Sequence, residues 1–275
     1  MFAAQIDPLA TLAADPRVAA AVAAAREEID ALLWRRDIRS NAQAVALASV
    51  ERGARDSAAI DGADVFAVDD SPMGRLLASS LVLTAEIPSQ VEIFERAPLQ
   101  VIAHLHALVA RGHVTDDLLG RPRSDADAAG SSSDQPVSSG GGRSDPSAAI
   151  DPLHLGELPP AAAVSARLTG LADLLTTPTE APALVVAAIA HAEVAVLRPF
   201  AWGSGLISRA LVRLVLASRG VDPSLFSIPE LGILEQGRPA YVKALRSYAT
   251  GTSAGVSDFL VWHATAVARG ARAVP

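Results

Sequence analysis

Residues 191–220 read HAEVAVLRPFAWGSGLISRALVRLVLASRG and join two helical segments through a short glycine turn. The segment before the turn is apolar almost all round, which is typical of a helix at the centre of a fold. The segment after it carries Arg209 and Arg213 as i, i+4 neighbours. In the turn Gly203-Ser204-Gly205, free backbone N–H groups meet the positive end of the helix dipole. The turn is therefore a candidate phosphate site, and a plain helix–helix corner is the alternative.

The composition of the whole chain favours helices. Its 275 residues are half hydrophobic and only 4% aromatic, and alanine and leucine dominate. We predict an all-α fold in which a central buried helix is followed by the glycine turn and the Arg-bearing helix. One large domain, or one domain with a helical arm, fits this length.

Charge and cysteine content argue against several functions. The net charge is −7 and the basic residues are scattered, which argues against a nucleic-acid partner. The absence of cysteine excludes disulfides, thiolate catalysis and cysteine zinc sites. The N-terminus has no signal-peptide pattern, and His191 and Glu193 interrupt the longest apolar run, which argues against a membrane span. We expect a soluble, cytoplasmic protein, and the sequence specifies no oligomeric state.

The pattern of helix signals and breakers divides the chain into four segments. Within them, one helix is predicted from Met73 to Ile87 and another from Pro98 to Gly112. The Ser/Gly-rich stretch has too few apolar residues to form a core and is predicted to be a disordered insertion. The segments are an N-terminal arm of two or three helices (1–55), a helical segment (56–122), the insertion (123–149) and a second helical segment (150–275).

Two motifs resemble those of the Fic (Fido) family. The family signature is H-x-F-x-[DE]-G-N-G-R-x-x-R, and the matching positions here are Pro199, Phe200, Gly203, Gly205 and Arg209. The stretch RDSAAIDG (55–62) is similar to the family's inhibitory-helix motif [ST]-x-x-x-E-[GN], with Ser57 first and Asp61 in place of glutamate. The resemblance covers residues 30–268. It implies a Fic-like bundle in which 56–122 holds the inhibitory-helix-like segment and the first core helices.

The resemblance also implies a chemistry. Fic proteins mostly transfer AMP from a nucleotide to a hydroxyl on a target protein. In them the signature histidine accepts the hydroxyl proton, the acidic residue holds magnesium, and the turn with the first arginine binds phosphates. The last arginine pairs with the nucleotide or with the inhibitory glutamate. Ser57, Asp61 and Arg209 are the counterparts of the inhibitory contact here.

The sequence departs from the signature where the chemistry takes place. Arg198 stands in the histidine position, stays protonated and cannot accept a proton. Trp202 stands in the acidic position and offers magnesium no oxygen. Ser204 and Leu206 replace the asparagine and the first arginine, so only Arg209 keeps its polar role. We expect the Arg198 guanidinium to fill the proton-accepting position.

Three functional hypotheses follow. The first is a Fic-like pseudoenzyme that binds a phosphate-bearing ligand such as ATP at Gly203 to Gly205 and Arg209, or that works through a protein partner. The second is an active AMP transferase with a remodelled site, in which Arg198 binds phosphate and another residue is the base. The third is a ligand-free scaffold whose groove is filled by Arg198 and Trp202. In each, Asp61 is expected to pair with Arg209, with a stretched or water-bridged contact because aspartate is one methylene short.

Other polar residues receive structural interpretations. His104, His106 and His113 lie close in sequence, but helical spacing does not bring them together with a carboxylate, so no metal site is predicted. His191 lies about 10 Å along the helix from Arg198 and is predicted to be a buried histidine. Glu193 is predicted to pair with an arginine or to face a polar groove.

Overall fold

The computed structural model describes residues 7–63, 67–124, 127 and 150–274. Within these ranges the chain forms helices and no β-strand, which confirms the predicted all-α fold. The described part of the chain has twelve α-helices with defined bounds: α1 (Pro8–Ala13), α2 (Pro16–Trp34), α3 (Arg36–Ser40), α4 (Ala42–Ile60), α5 (Pro72–Phe94), α6 (Pro98–Val109), α7 (Ala161–Thr176), α8 (Ala183–Leu197), α9 (Ser204–Ser218), α10 (Pro229–Gln236), α11 (Arg238–Ala249) and α12 (Ser253–Arg272).

Helices α8 and α9 form the centre of the fold. Nearly every residue of α8 is buried, as the apolar sequence predicts. Helix α9 packs against α8 and α5, and it also touches α4, α6 and α10. Among the helices that the structure describes, none combines the length and apolar character that crossing a bilayer requires.

The N-terminal helices belong to the same core. Helix α2 starts at Asp15, whose Oδ1 accepts a hydrogen bond from Arg17 N at 2.8 Å, followed by Pro16 in the first turn. Its apolar face packs against α12 at the other end of the chain. Residues 7–55 contain three short or medium helices and most of α4, and α4 continues across the predicted boundary at residue 55.

Helix α5 is longer than the sequence pattern predicts. The prediction ends it at Ile87, and the next residue, Pro88, has no N–H for the helical ladder. In the structure the helix continues to Phe94. Buried residues keep their helical spacing beyond the proline, at Gln90 and Phe94, so burial outweighs the lost hydrogen bond.

The predicted insertion, residues 123–149, lies outside the described residues except for Arg123, Ser124 and Asp127. Arg123 is buried, and its backbone N–H donates to Pro199 O at 2.7 Å. The described chain packed on the turn therefore includes Arg123, one residue past the predicted boundary at 122.

Candidate functional site

The turn between α8 and α9 has the backbone that its glycines allow. Gly203 has a φ of +76°, a left-handed conformation that residues with a side chain rarely adopt. The Ser204 hydroxyl oxygen accepts a hydrogen bond from Phe200 N at 3.2 Å and holds the turn closed. Phe200 is buried and stacks on His106, with 4.0 Å between the ring centroids. The turn is thus fixed to α6 as well as to α8.

Gly205 permits a carboxylate to approach the first turn of α9. A Cβ atom at this position would lie 2.9 Å from Asp61 Oδ2 and 3.1 Å from Oδ1. Gly203, which precedes the helix, makes no side-chain cap. The Asp61 carboxylate therefore lies at the end of the helix where backbone N–H groups and the helix dipole favour negative charge.

Asp61 and Arg209 form a direct ion pair. Arg209 Nη2 lies 2.7 Å from Asp61 Oδ2, so the contact is neither stretched nor water-bridged. The missing methylene is offset because the end of α4 lies against the side-chain-free surface at Gly205. Arg209 also donates from Nε to Ser57 Oγ at 2.7 Å and from Nη2 to Ser57 O at 3.1 Å. The structure brings together the three residues that the inhibitory-motif resemblance singles out.

The pair is buried, and each partner has an unused atom. The Arg209 side chain is 1% exposed and that of Asp61 5%. Burial alone would lower the pKa of Arg209, but the Asp61 carboxylate and the Tyr241 hydroxyl together raise it above its usual value. Asp61 Oδ1 and Arg209 Nη1 make no hydrogen bond to the described residues. Unsatisfied buried atoms of this kind are rare and suit an additional ligand.

The buried side chain of Tyr241 lies next to the Arg209 guanidinium. The Tyr241 hydroxyl lies 2.7 Å from His191 Nε2, and burial raises the pKa of Tyr241 to about 12. Burial also lowers the pKa of His191 well below its usual value, so this ring is neutral. His191 is a buried histidine, as predicted, and it does not line the groove.

A second buried arginine fixes α4 on α9. Arg213 donates from Nε to Glu230 Oε1 at 2.8 Å and from Nη1 to Ser49 Oγ at 3.1 Å. Since Arg209 and Arg213 lie one turn apart, they hold two successive parts of α4. The position of Asp61 over α9 therefore depends on both.

A groove of about 480 Å³ opens above the turn. Its floor is formed by Asp61 and by the turn itself, and α5 contributes a wall in which the cationic Arg75 lies beside the apolar Met73 and Leu76. Pro152 lies at another edge. Anionic and apolar parts of one ligand would thus meet different sides of the groove.

Arg198 does not line this groove. Its guanidinium pairs with Asp151 Oδ2 at 2.9 Å and donates to Gly156 O at 2.8 Å and to Glu157 O at 2.6 Å. The residue has a left-handed backbone with a φ of +45°, and its side chain borders a different cavity. The expectation that this guanidinium fills the proton-accepting position is therefore wrong. In this structure its side chain does not fill the groove either.

His113 lines the groove, and the sequence analysis did not identify it as a site residue. Its ring stacks on Trp202 with 3.7 Å between centroids, and its Nε2 lies 3.0 Å from Ser79 Oγ. Burial and the nearby Arg75 cation lower the pKa of His113. No local pattern marks this residue, because its partners come from α5 and from the turn after α8.

The other polar candidates have separate partners. His106 Nδ1 accepts from Gly120 N at 2.9 Å, and burial lowers the pKa of His106 to about 4. His104 lies beside Glu86, so the three neighbouring histidines do not converge. Glu193 pairs with Arg167 at 2.7 Å, as predicted for an arginine partner.

The groove does not offer magnesium a suitable set of ligands. The signature's acidic position is held by Trp202, which has no oxygen atom in its side chain. Asp61 is the carboxylate among the described groove residues, and one of its oxygens is already bound by Arg209. Magnesium requires near-octahedral oxygen coordination, which these residues do not supply.

The fold is that of Fic family proteins. The structure resembles that of a Fic family protein from Desulfovibrio desulfuricans G20 with a TM-score of 0.67 and 20% sequence identity, covering 94% of this chain and 73% of that one. It also resembles C. elegans Fic-1, with a TM-score of 0.58 and 17% identity over 98% of this chain and 74% of the other. No protein-family profile and no curated protein matches the sequence. At these identities the likeness establishes the fold.

Proposed function

We propose that this chain is a Fic-like protein that binds a phosphate-bearing ligand in its groove and does not transfer AMP. The observation that carries the proposal is the position of the Asp61 carboxylate. An anionic group already lies against the first turn of α9, beside Arg209. Phosphate oxygens accept the same charge-assisted hydrogen bonds as carboxylate oxygens, so the same place suits a phosphate. A nucleotide such as ATP, GTP or a diphosphate is the proposed ligand class.

The residues of the groove support binding better than transfer. Arg209 Nη1 is an unused donor below the turn. Leu206 supplies no cation at the position of the signature's first arginine, Trp202 supplies no oxygen for a metal, and Arg198 is directed elsewhere. Loss of a general base costs about two to four orders of magnitude in rate. Loss of metal and of phosphate charge stabilisation costs several more kcal/mol, on the order of 3–4 for each lost stabilising contact.

Calorimetric titration with ATP, GTP and their diphosphates tests the proposal. Asp61→Asn removes the anion that competes for the α9 N-terminus, so we expect affinity to rise about tenfold. Asp56→Asn is the matched control, because Asp56 is a second buried carboxylate of α4 that pairs with Arg52 away from the groove. Arg209→Ala is expected to abolish binding. Absence of heat at millimolar nucleotide with both the wild type and Asp61→Asn rejects the proposal.

The presence of His113 in the groove favours a second candidate, an AMP transferase with a remodelled site. A half-buried imidazole with a lowered pKa is unprotonated at neutral pH and is able to accept a proton. Incubation of cell lysate with ATP labelled at the α-phosphate separates the candidates. Label that is lost in both Arg209→Ala and His113→Asn establishes the transferase. Absence of label with a protein that binds ATP supports the pseudoenzyme.

A further inference from the structure

Residues 150–158, here called the strap, cross from the groove to the far side of the α8–α9 turn. Beyond Ile150 the strap has no helical structure, and its apolar residues Ile150 and Leu153 are buried. Asp151 organises it internally, because its carboxylate accepts from Leu155 N at 2.9 Å and from Gly156 N at 3.1 Å. A segment without regular structure depends on such contacts to hold its shape.

Arginine side chains from outside the strap donate further hydrogen bonds to it. Arg238 donates to Pro152 O and Arg246 donates to His154 O. Arg198 makes more of these contacts than either of the other two arginines. It pairs with the Asp151 carboxylate and donates to two strap carbonyls. It is also only 4% exposed, whereas the Arg246 contact is exposed. The Arg198 contacts are therefore the ones that solvent screens least.

The chain before the undescribed stretch is attached to the same place. Arg123 donates from Nε to Arg198 O at 2.8 Å and from Nη2 to Pro159 O at 2.6 Å. Arg198 thus fixes the strap with its side chain and accepts from Arg123 with its backbone. The left-handed backbone of Arg198 makes both contacts available on the side away from the groove.

We propose that Arg198 is a positioning residue for the groove. By clamping Asp151, Gly156 and Glu157, it holds the strap where Pro152 forms one edge of the groove. Without the guanidinium, two carbonyls lose their donor and Asp151 loses its cation. The strap then separates from the turn, and the groove opens at Pro152. The signature position that carries a base in Fic proteins carries a structural clamp in this chain.

The accessibility of a single introduced thiol reports whether the strap is held in place. This measurement needs no ligand, so its result does not depend on the proposed function. The chain has no cysteine, and Pro152→Cys therefore introduces a single reporter at the groove edge. In this background, Arg198→Gly keeps the left-handed backbone and removes the clamp. We expect the thiol to react with a maleimide about tenfold faster or more, as loss of charge-assisted hydrogen bonds implies.

Two further variants control the experiment. Arg219→Ala also removes a partly buried guanidinium that holds a carbonyl, but this one lies at Leu175, and labelling should not change. Arg198→Lys keeps the positive charge with fewer hydrogen-bond donors, so its labelling rate should lie between the slow rate with arginine and the fast rate with glycine. Equal labelling rates for arginine, lysine and glycine at position 198 in folded protein would overturn the proposal.

Hydrogen exchange provides a second measurement if Arg198→Gly does not fold. Asp151→Ala removes the anionic partner and leaves the α8–α9 turn unchanged. We expect the amides of Leu153, His154 and Glu157, none of which donates to the Asp151 carboxylate, to exchange faster while the amides of α9 keep their protection. Unchanged exchange across the strap would show that the clamp does not position it.

Discussion

Arg198 and Arg209 are both buried arginines that pair with an aspartate, but they lie on opposite sides of the α8–α9 turn. Arg209 is buried behind the groove, pairs with the groove residue Asp61 and has an Nη1 that makes no hydrogen bond to the described residues. Arg198 faces away from the groove, pairs with Asp151 and donates to strap carbonyls. The two residues belong to one motif, yet their partners give them different roles. The comparison shows that burial and charge alone do not distinguish the two arginines, whereas the neighbours of each side chain do.

The largest expected effect is on the groove side of the turn. Arg209→Ala leaves the Asp61 carboxylate buried without its cation, which should lower the free energy of unfolding by about 3–5 kcal/mol. Urea denaturation measures this. The double variant Arg209→Ala/Asp61→Ala should recover a large part of the loss, since the uncompensated charge is gone. A double variant as unstable as the single one would contradict the importance of the pair.

Lowering the pH should lower the free energy of unfolding, because three histidines are buried in the neutral form. Burial lowers the pKa of His263 to about 3, that of His106 to about 4 and that of His191 well below its usual value. Below pH 6.5 the unfolded chain protonates these histidines while the native state does not. Stability should therefore fall as pH falls, by about 1.4 kcal/mol per pH unit for each histidine.

Urea denaturation at pH 7 and pH 5 tests this slope. His263→Phe should flatten it, because the variant removes one of the buried titrating groups. If the wild type and the variant lose the same stability over this interval, the histidine explanation is wrong.

A methyl group at Gly205 probes the approach of Asp61 to α9. Gly205→Ala places a Cβ 2.9 Å from Asp61 Oδ2, so the carboxylate must shift, at a cost of about 1–3 kcal/mol. Gly170→Ala in α7 is the matched control, because its Cβ meets no atom within 4 Å. We expect that variant to be more stable by about 0.5–1 kcal/mol. Similar thermal shifts of the same sign for both variants would count against the close contact.

The smallest expected effect is that of Arg198→His. This variant restores the histidine of the family signature but should not restore AMP transfer. Arg198→His places an imidazole at a position whose side chain points to the strap. We expect no AMP transfer from labelled ATP, because the acidic residue and first phosphate-binding arginine of the signature are still absent. Label incorporation by Arg198→His that exceeds the wild type would show that residue 198 reaches the groove.

Much of this architecture could be predicted from the sequence. The helical fold follows from periodic apolar residues, and the Asp61–Arg209 contact follows from two short motifs that resemble those of one family. The direction of Arg198 could not be predicted, because it depends on a left-handed backbone and on Asp151, which lies beyond the Ser/Gly-rich stretch. The stacking of His113 on Trp202 likewise depends on tertiary packing between α5, α6 and the turn. Such contacts leave no local periodicity in a sequence.

A crystal structure of Asp61→Asn soaked with ATP would test the central claim most directly. The account predicts a phosphate at the first turn of α9, bound by backbone N–H groups and by Arg209, with Arg198 still clamped to Asp151. A groove without ligand at saturating ATP would contradict the account. So would a structure in which Arg198 has left the strap and binds the phosphate.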